Sequence, residues 1–123
     1  MNASRTQQLN ERLRALLAST PEIEGAALVS DDGLIISSVL APPAEEDRVA
    51  AMSAAMLSLG ERIARELGRG TMEQVYIKGS NGFALLTAAN EQTVLTIMAS
   101  NEARLGLLLL ELRKVVADLQ PLL

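Results

Sequence analysis

A chain of 123 residues that is 49% hydrophobic is long enough for a core of two or three layers and too apolar to be disordered. It has no Cys and no His, which removes disulfides, thiolate nucleophiles, Cys-based metal sites, the commonest general base and the commonest neutral metal ligand. A net charge of −4, with one Phe, one Tyr and no Trp, argues against nucleic-acid binding, which draws on cations and stacking rings. One domain over residues 1–123 is expected. MNASRTQQLNERLR lacks the apolar centre of a signal peptide, and the longest apolar run, Leu105–Leu110, is far short of the ~20 residues that span a bilayer. The expected compartment is the cytoplasm, without membrane insertion.

Residues 4–19 read as a first helix. Ser4 and Gln7 have the spacing of a capping box, and Leu9, Leu13, Leu16 and Leu17 form one stripe opposite Gln8, Glu11, Arg12 and Arg14. Thr20-Pro21 ends it, because the residue before Pro is pushed out of the helical region. Gly25–Ser30 and Leu34–Val39 read as two short strands joined at Asp31-Asp32-Gly33 in a hairpin. Two adjacent carboxylates lack the spaced further ligands of a calcium loop, so Asp31 and Asp32 are assigned to the turn rather than to a metal. Ala41-Pro42-Pro43-Ala44 reads as a stiff spacer, since a single Pro pair falls short of a PxxP pattern.

A long helix is predicted from about Glu45 to Arg69. Its stretch Val49–Gly60, VAAMSAAMLSLG, carries no charge in a chain that is 21% charged. Val49, Met52, Met56, Leu59, Ile63 and Leu67 recur at steps of three and four, an apolar stripe expected to pack on the chain's own core. Ala51, Ala55 and Ser58 make a second, small face where a surface helix would carry Lys or Glu. A helix that is apolar or small on every side is covered on every side, so this small face is expected to meet another protein, most simply a second copy of the chain. Glu45, Glu46 and Asp47 stand before the stretch, and Arg62, Arg65 and Arg69 follow it. That order suits the helix dipole, and in an antiparallel two-fold pair it also sets acidic ends beside basic ones. Exposed ion pairs contribute about 0–1 kcal/mol each, so they would set orientation while buried apolar area supplies affinity. Gly68 and Gly70 end the helix; they follow a helix rather than a strand and lack the P-loop pattern, so they make no phosphate loop.

Three strands follow, Met72–Lys78, Phe83–Ala89 and Thr93–Ala99, joined by short turns into an antiparallel meander. FALLTAA and TVLTIMA are apolar on both faces, which predicts helices on both sides of the sheet. The strand around Val75 and Ile77 is more polar, as suits an edge, and an open edge invites pairing with another chain. Residues 104–120 read as the last helix, with Leu105, Leu108, Leu109, Leu112, Val115, Val116 and Leu119 as its stripe and Pro121 at its end. Leu107 and Leu110 fall outside the stripe and need other cover, with the first helix the expected neighbour; core packing is preferred to a membrane-surface or partner-groove reading. The fold class is α+β in the order α-β-β-α-β-β-β-α. One five-stranded antiparallel sheet of order 2-1-5-4-3 has the middle helix on one face and the terminal helices on the other. The expected dimer interface is Ala51, Ala55, Ser58, Arg62, Val75 and Ile77.

PEIEGAALVSDDGLII, Pro21–Ile36, resembles the Roadblock family (dynein light chain Roadblock type), in its bacterial, MglB-like branch. The shared pattern is a Gly-led strand, a Ser-x-Asp-Gly turn and a second apolar strand. The Ala- and Met-rich middle helix, the meander and the closing Leu-rich helix extend the resemblance from about Leu9 to Leu119. It implies a profilin-like fold and a homodimer, or a heterodimer with a paralogue, joined through the third strand and the paired middle helices. It also implies a non-enzymatic adaptor that binds a Ras-like small GTPase (MglA-like), acting on hydrolysis or on location by ordering the GTPase's own residues. No arginine-finger role therefore falls to Arg62, Arg65 or Arg69. Arg48, Arg62, Arg65 and Arg69 are candidate partner contacts, their bland reading being solvation and balance of the dipole.

No catalytic residue, cofactor or metal is expected. The alternatives are a small-molecule-binding sensor module, since sheets covered on both faces can enclose a pocket, and a general protein scaffold. An enzyme would have to work with Asp, Glu, Lys, Ser or Tyr, and no spacing among them suggests a triad.

Overall fold

The structure, a computed structural model, describes residues 4–42 and 44–123; residues 1–3 and Pro43, the second proline of the spacer, lie outside the described residues. Helix α1 spans Arg5–Ser19. Its capping box is closed: Gln7 N–H donates to Ser4 Oγ at 3.1 Å, and Ser4 N–H donates to Gln7 Oε1 at 3.0 Å. Strands β1 (Ile23–Ser30) and β2 (Ile35–Val39) form the expected hairpin. Gly33 turns the chain with φ +87°, and the Ser30 hydroxyl donates to the Asp32 carboxylate, so the aspartates serve the turn. β1 starts earlier than Gly25 because Ile23 already pairs with Ala99.

The remaining elements are α2 (Glu46–Glu66), β3 (Gln74–Gly79), β4 (Gly82–Asn90), β5 (Thr93–Ala99) and α3 (Leu105–Leu119), followed by a 3-10 turn over Gln120–Leu122. The sheet order is β2-β1-β5-β4-β3, and every pair is antiparallel. Because side chains alternate along a strand, the sheet feeds two cores. Leu28, Leu85, Leu95 and Ile97 meet Leu9, Leu13 and Leu112 of α1 and α3 on one side. Ala27, Val29, Leu86 and Val94 meet Val49 and Leu57 of α2 on the other. β5 lies at the centre and is buried on both faces, as its doubly apolar sequence requires.

Two further boundaries shift by more than a single residue. α2 stops at Glu66 because Gly68 takes φ +67°. Gly68 N–H then reaches the Arg65 carbonyl at 3.1 Å and Arg69 N–H the Ala64 carbonyl at 2.6 Å, which is a Schellman ending. β3 begins at Gln74 because Met72 is buried under α2 before the strand starts.

A larger correction concerns which way α2 faces. Val49, Ala50, Ser53 and Leu57 are its buried residues. Met52, Leu59, Ile63 and Leu67, assigned above to the core, are 62%, 50%, 48% and 65% exposed. The cause is steric. The sheet below presents branched and long side chains, and a Cβ added at Gly60 would stand 3.1 Å from Val75 Cγ2 and 3.3 Å from Met72 Cγ. At that point only a glycine or another very small residue fits, so α2 sits close to the sheet through Ala50, Ser53 and Gly60, while Val49 and Leu57 pack into the core beside them. Met52, Leu59, Ile63 and Leu67 are turned to the flank, beside the small exposed face of Ala51, Ala55 and Ser58.

Candidate interaction surface

The outward side of α2 carries four exposed large apolar residues, Met52, Leu59, Ile63 and Leu67. Ala51, Ala55, Ser58 and Arg62 run along it at steps of four, three and four, and all are exposed. Met52, Met56, Leu59 and Ile63 lie beside them. Between this flank and the sheet runs a trough of about 440 Å³, with Met52, Met56 and Leu59 on the helix side and Ile77, Ala84 and Met98 on the sheet side. The Thr96 hydroxyl donates to Ser53 Oγ at 2.7 Å beneath the helix, fixing how α2 sits on the sheet. Each of the four large apolar side chains, about half exposed or more, forgoes part of the roughly 1.5–3 kcal/mol that full burial contributes, and exposed apolar residues grouped in this way are a mark of interaction sites.

The two sheet edges are unlike. β2 is blunted: its register slips opposite Leu28 and Val29, the Asn10 side-chain amide donates to the Ser38 carbonyl at 3.0 Å, and the Ser38 hydroxyl donates to Glu46 at 2.8 Å. Bulges and covering groups of this sort protect an edge. β3 pairs residue for residue with β4 from Gln74 to Gly79 without a slip, and among the described residues no strand pairs its other side. Of the proposed interface residues on it, Val75 is half-buried toward α2 and Ile77 is exposed at the mouth of the trough. The open edge and the apolar helix flank are therefore neighbours.

The arginines separate into two groups. Arg48 lies near the start of α2, roughly 21 Å along the axis from Arg62, and pairs with Glu45 at 3.6 Å. Arg62 pairs with Glu66 at 3.1 Å, and Arg69 Nε donates to the Leu67 carbonyl at 3.0 Å. Arg65 is exposed in the last turn of α2. Arg65, in the last turn of α2, suits the helix dipole, whereas Arg48 stands in the first turn, where the nearby carboxylates and not the dipole favour it.

A family model for the Roadblock/LC7 domain matches residues 9–99, from α1 to the end of β5. The chain belongs to the Roadblock/LC7 family. The uncharacterised Methanocaldococcus jannaschii protein MJ1340 is 32% identical over 110 residues, which cover 89% of this chain and 96% of that protein. A Roadblock/LC7 domain from Streptomyces avermitilis superposes with a TM-score of 0.85 at 26% identity, over 91% of this chain and 94% of that one. MglB of Myxococcus xanthus has a TM-score of 0.88 at 20% identity, over 100% of this chain and 96% of that one, a likeness of fold. Profilin IA of Acanthamoeba castellanii shares the layered sheet at a TM-score of 0.65 and 15% identity, over 89% of this chain and 94% of that one. The Roadblock fold with its profilin-like topology is thus the one the resemblance implied.

Within that Roadblock frame, the sequence reading missed the outward apolar flank of Met52, Leu59, Ile63 and Leu67. The signal that could have found it is Gly60, a helix-interior glycine that is costly unless a neighbour must come close. Leu107 and Leu110 of α3 are also exposed, uncovered by α1. Among the described residues no group of three or more carboxylates is placed to hold a metal ion, and no helix is long and apolar enough to cross a membrane.

Proposed function

We infer that this Roadblock protein is a non-enzymatic adaptor that works as a homodimer and binds a Ras-like small GTPase, altering its nucleotide cycle or its location. The observation that carries the reading is the adjacency of the exposed α2 flank and the unblunted β3 edge. Two copies related by a two-fold axis would pair β3 with β3 and lay the α2 helices together, covering Ala51, Ala55, Ser58, Val75 and Ile77 and the Met52–Ile63 flank. Arg62 would lie at the rim of that contact, and Arg48, Arg65 and Arg69 would remain near its ends, available to a partner. A structural neighbour, MglB with tetrameric arrangement, supports self-association as a property of the neighbouring fold. The small-GTPase partner rests on the resemblance to MglB-like Roadblock proteins.

The test is capture from native extract with the tagged protein, in GDP and in a non-hydrolysable GTP analogue, read by mass spectrometry. A small GTPase retained in one nucleotide state is expected. Repeated capture without any GTPase in either state would end this reading in favour of a scaffold for other proteins. The apolar trough beside α2 favours a small-molecule sensor instead, and there a ligand-specific rise in melting temperature would be decisive.

A further inference from the structure

β3 has a second face, turned away from α2. Val75 and Ile77 point toward α2, so by alternation Gln74, Tyr76 and Lys78 point to the side of α1 and α3. On that side α1 lies over β1 and β2 and α3 over β4, while β3 packs chiefly on β4 and α2. The chain's one tyrosine and one phenylalanine meet on this uncovered strip. The rings of Tyr76 and Phe83 have centroids 5.5 Å apart, tilted by 32°, and Tyr76 is 41% exposed. The Lys78 ammonium stands 4.7 Å from the centroid of the Phe83 ring, which holds that long side chain in place. Toward the other end of β3 a cleft of about 310 Å³ separates the strand from α3, with Glu73, Gln74 and Thr87 on one side and Arg113 and Val116 on the other.

Both aromatic rings of an acidic chain, together with two cations, thus border one strip. Among the described residues neither Lys78 nor Arg113 is held in an ion pair. Tyr, Phe and Arg are the side chains that interfaces concentrate, because rigid rings and planar cations bury area at little entropic cost. We propose that this strip docks an acidic amphipathic segment of another protein. Carboxylates of the segment meet Lys78 and Arg113, and an apolar side chain rests on the Tyr76 ring. Charge sets the sign of the occupant. Among the described residues Lys78 and Arg113 stand at the two ends of the strip without an ion pair, and Glu73 is the one carboxylate lining the cleft, so an acidic segment is favoured over a basic one. A polyanion such as nucleic acid would meet a chain of net charge −4. The strip is complete on each protomer and does not rest on the dimer, although pairing through β3 would set two strips side by side across the two-fold axis.

The probe is a displayed library of random peptides, selected on the whole protein at low salt. Enrichment of peptides with Asp or Glu around one aliphatic or aromatic residue is expected. Binding of the most enriched synthetic peptide should weaken about ten-fold or more in Lys78→Glu with Arg113→Glu, and should weaken with salt. Arg12→Glu, on α1, should leave it unchanged. Both substituted residues are exposed, so circular dichroism should show the fold intact. No enrichment, a consensus without acids, or binding indifferent to the double variant would overturn the proposal and leave Lys78 as a guard of the strand edge. Light scattering on the same samples keeps the two readings apart. A monomer that binds the acidic peptide retires the dimer alone, and a dimer that selects no acidic peptide retires the strip alone.

Discussion

Two glycines show how differently one residue type serves this chain. Gly82 opens β4 at φ +135°, and a Cβ there would lie 2.4 Å from the Ala99 carbonyl oxygen, a backbone atom that cannot move without disturbing β5. At Gly106, in the first turn of α3, an added Cβ would meet nothing within 4 Å. The same substitution should therefore change stability in opposite directions. Gly82→Ala is expected to destabilise by about 2–3 kcal/mol, through backbone strain and the clash with β5. Gly106→Ala is expected to stabilise by roughly 0.5–1 kcal/mol, by reducing the freedom of the unfolded chain. Urea unfolding of the two variants beside the parent checks both signs. A Gly82→Ala protein as stable as the parent would mean that the start of β4 does not approach β5 as described.

At the scale of the element, α2 has two jobs with opposite size requirements. Where it crosses Val75, Met72 and Thr96 its inward face must be small, at Gly60 and Ser53, and its outward flank is large and apolar. Ala55 lies on the outward face and is exposed, so Ala55→Glu leaves the protomer's own core untouched. In a dimer packed through α2 the new carboxylate would be buried without a partner, at about 3 kcal/mol or more. The dimer should weaken more than about a hundredfold, which light scattering against protein concentration would register. An unchanged molar mass at low concentration would remove Ala55 from the contact. The order of elements was legible in the sequence because turns such as Asp31-Asp32-Gly33 are short and polar and the inner strands are apolar on both faces. The facing of α2 was not, because a stripe has the same period whether it meets its own sheet or a second copy. What decides the matter is the fit of Ser53 and Gly60 against the sheet, and Thr96 lies 43 residues from Ser53. Arg48 and Arg62 carry the charges expected from the sequence, and each pairs with a carboxylate of its own protomer, Glu45 and Glu66.

For the whole molecule, the contrast between the sheet edges has a thermodynamic consequence. β2 is closed off by its bulge, Asn10 and Glu46, so growth of the sheet is directed to β3. Pairing there would join two five-stranded sheets into one and would couple unfolding to dissociation, because the α2 flank would lose its cover when the copies part. A folded dimer in equilibrium with unfolded monomers gains stability from mass action. Raising the protein concentration a hundredfold contributes about 2.7 kcal/mol, which for two chains of this length raises the melting midpoint by roughly 5 °C. The parent protein should show that rise in a calorimetric dilution series. Ala55→Glu should show a midpoint nearly independent of concentration, since its protomers would already be apart. A parent midpoint equally indifferent to concentration would mean that each protomer is stable with its α2 flank uncovered, and the apolar surface would then be kept open for the partner alone.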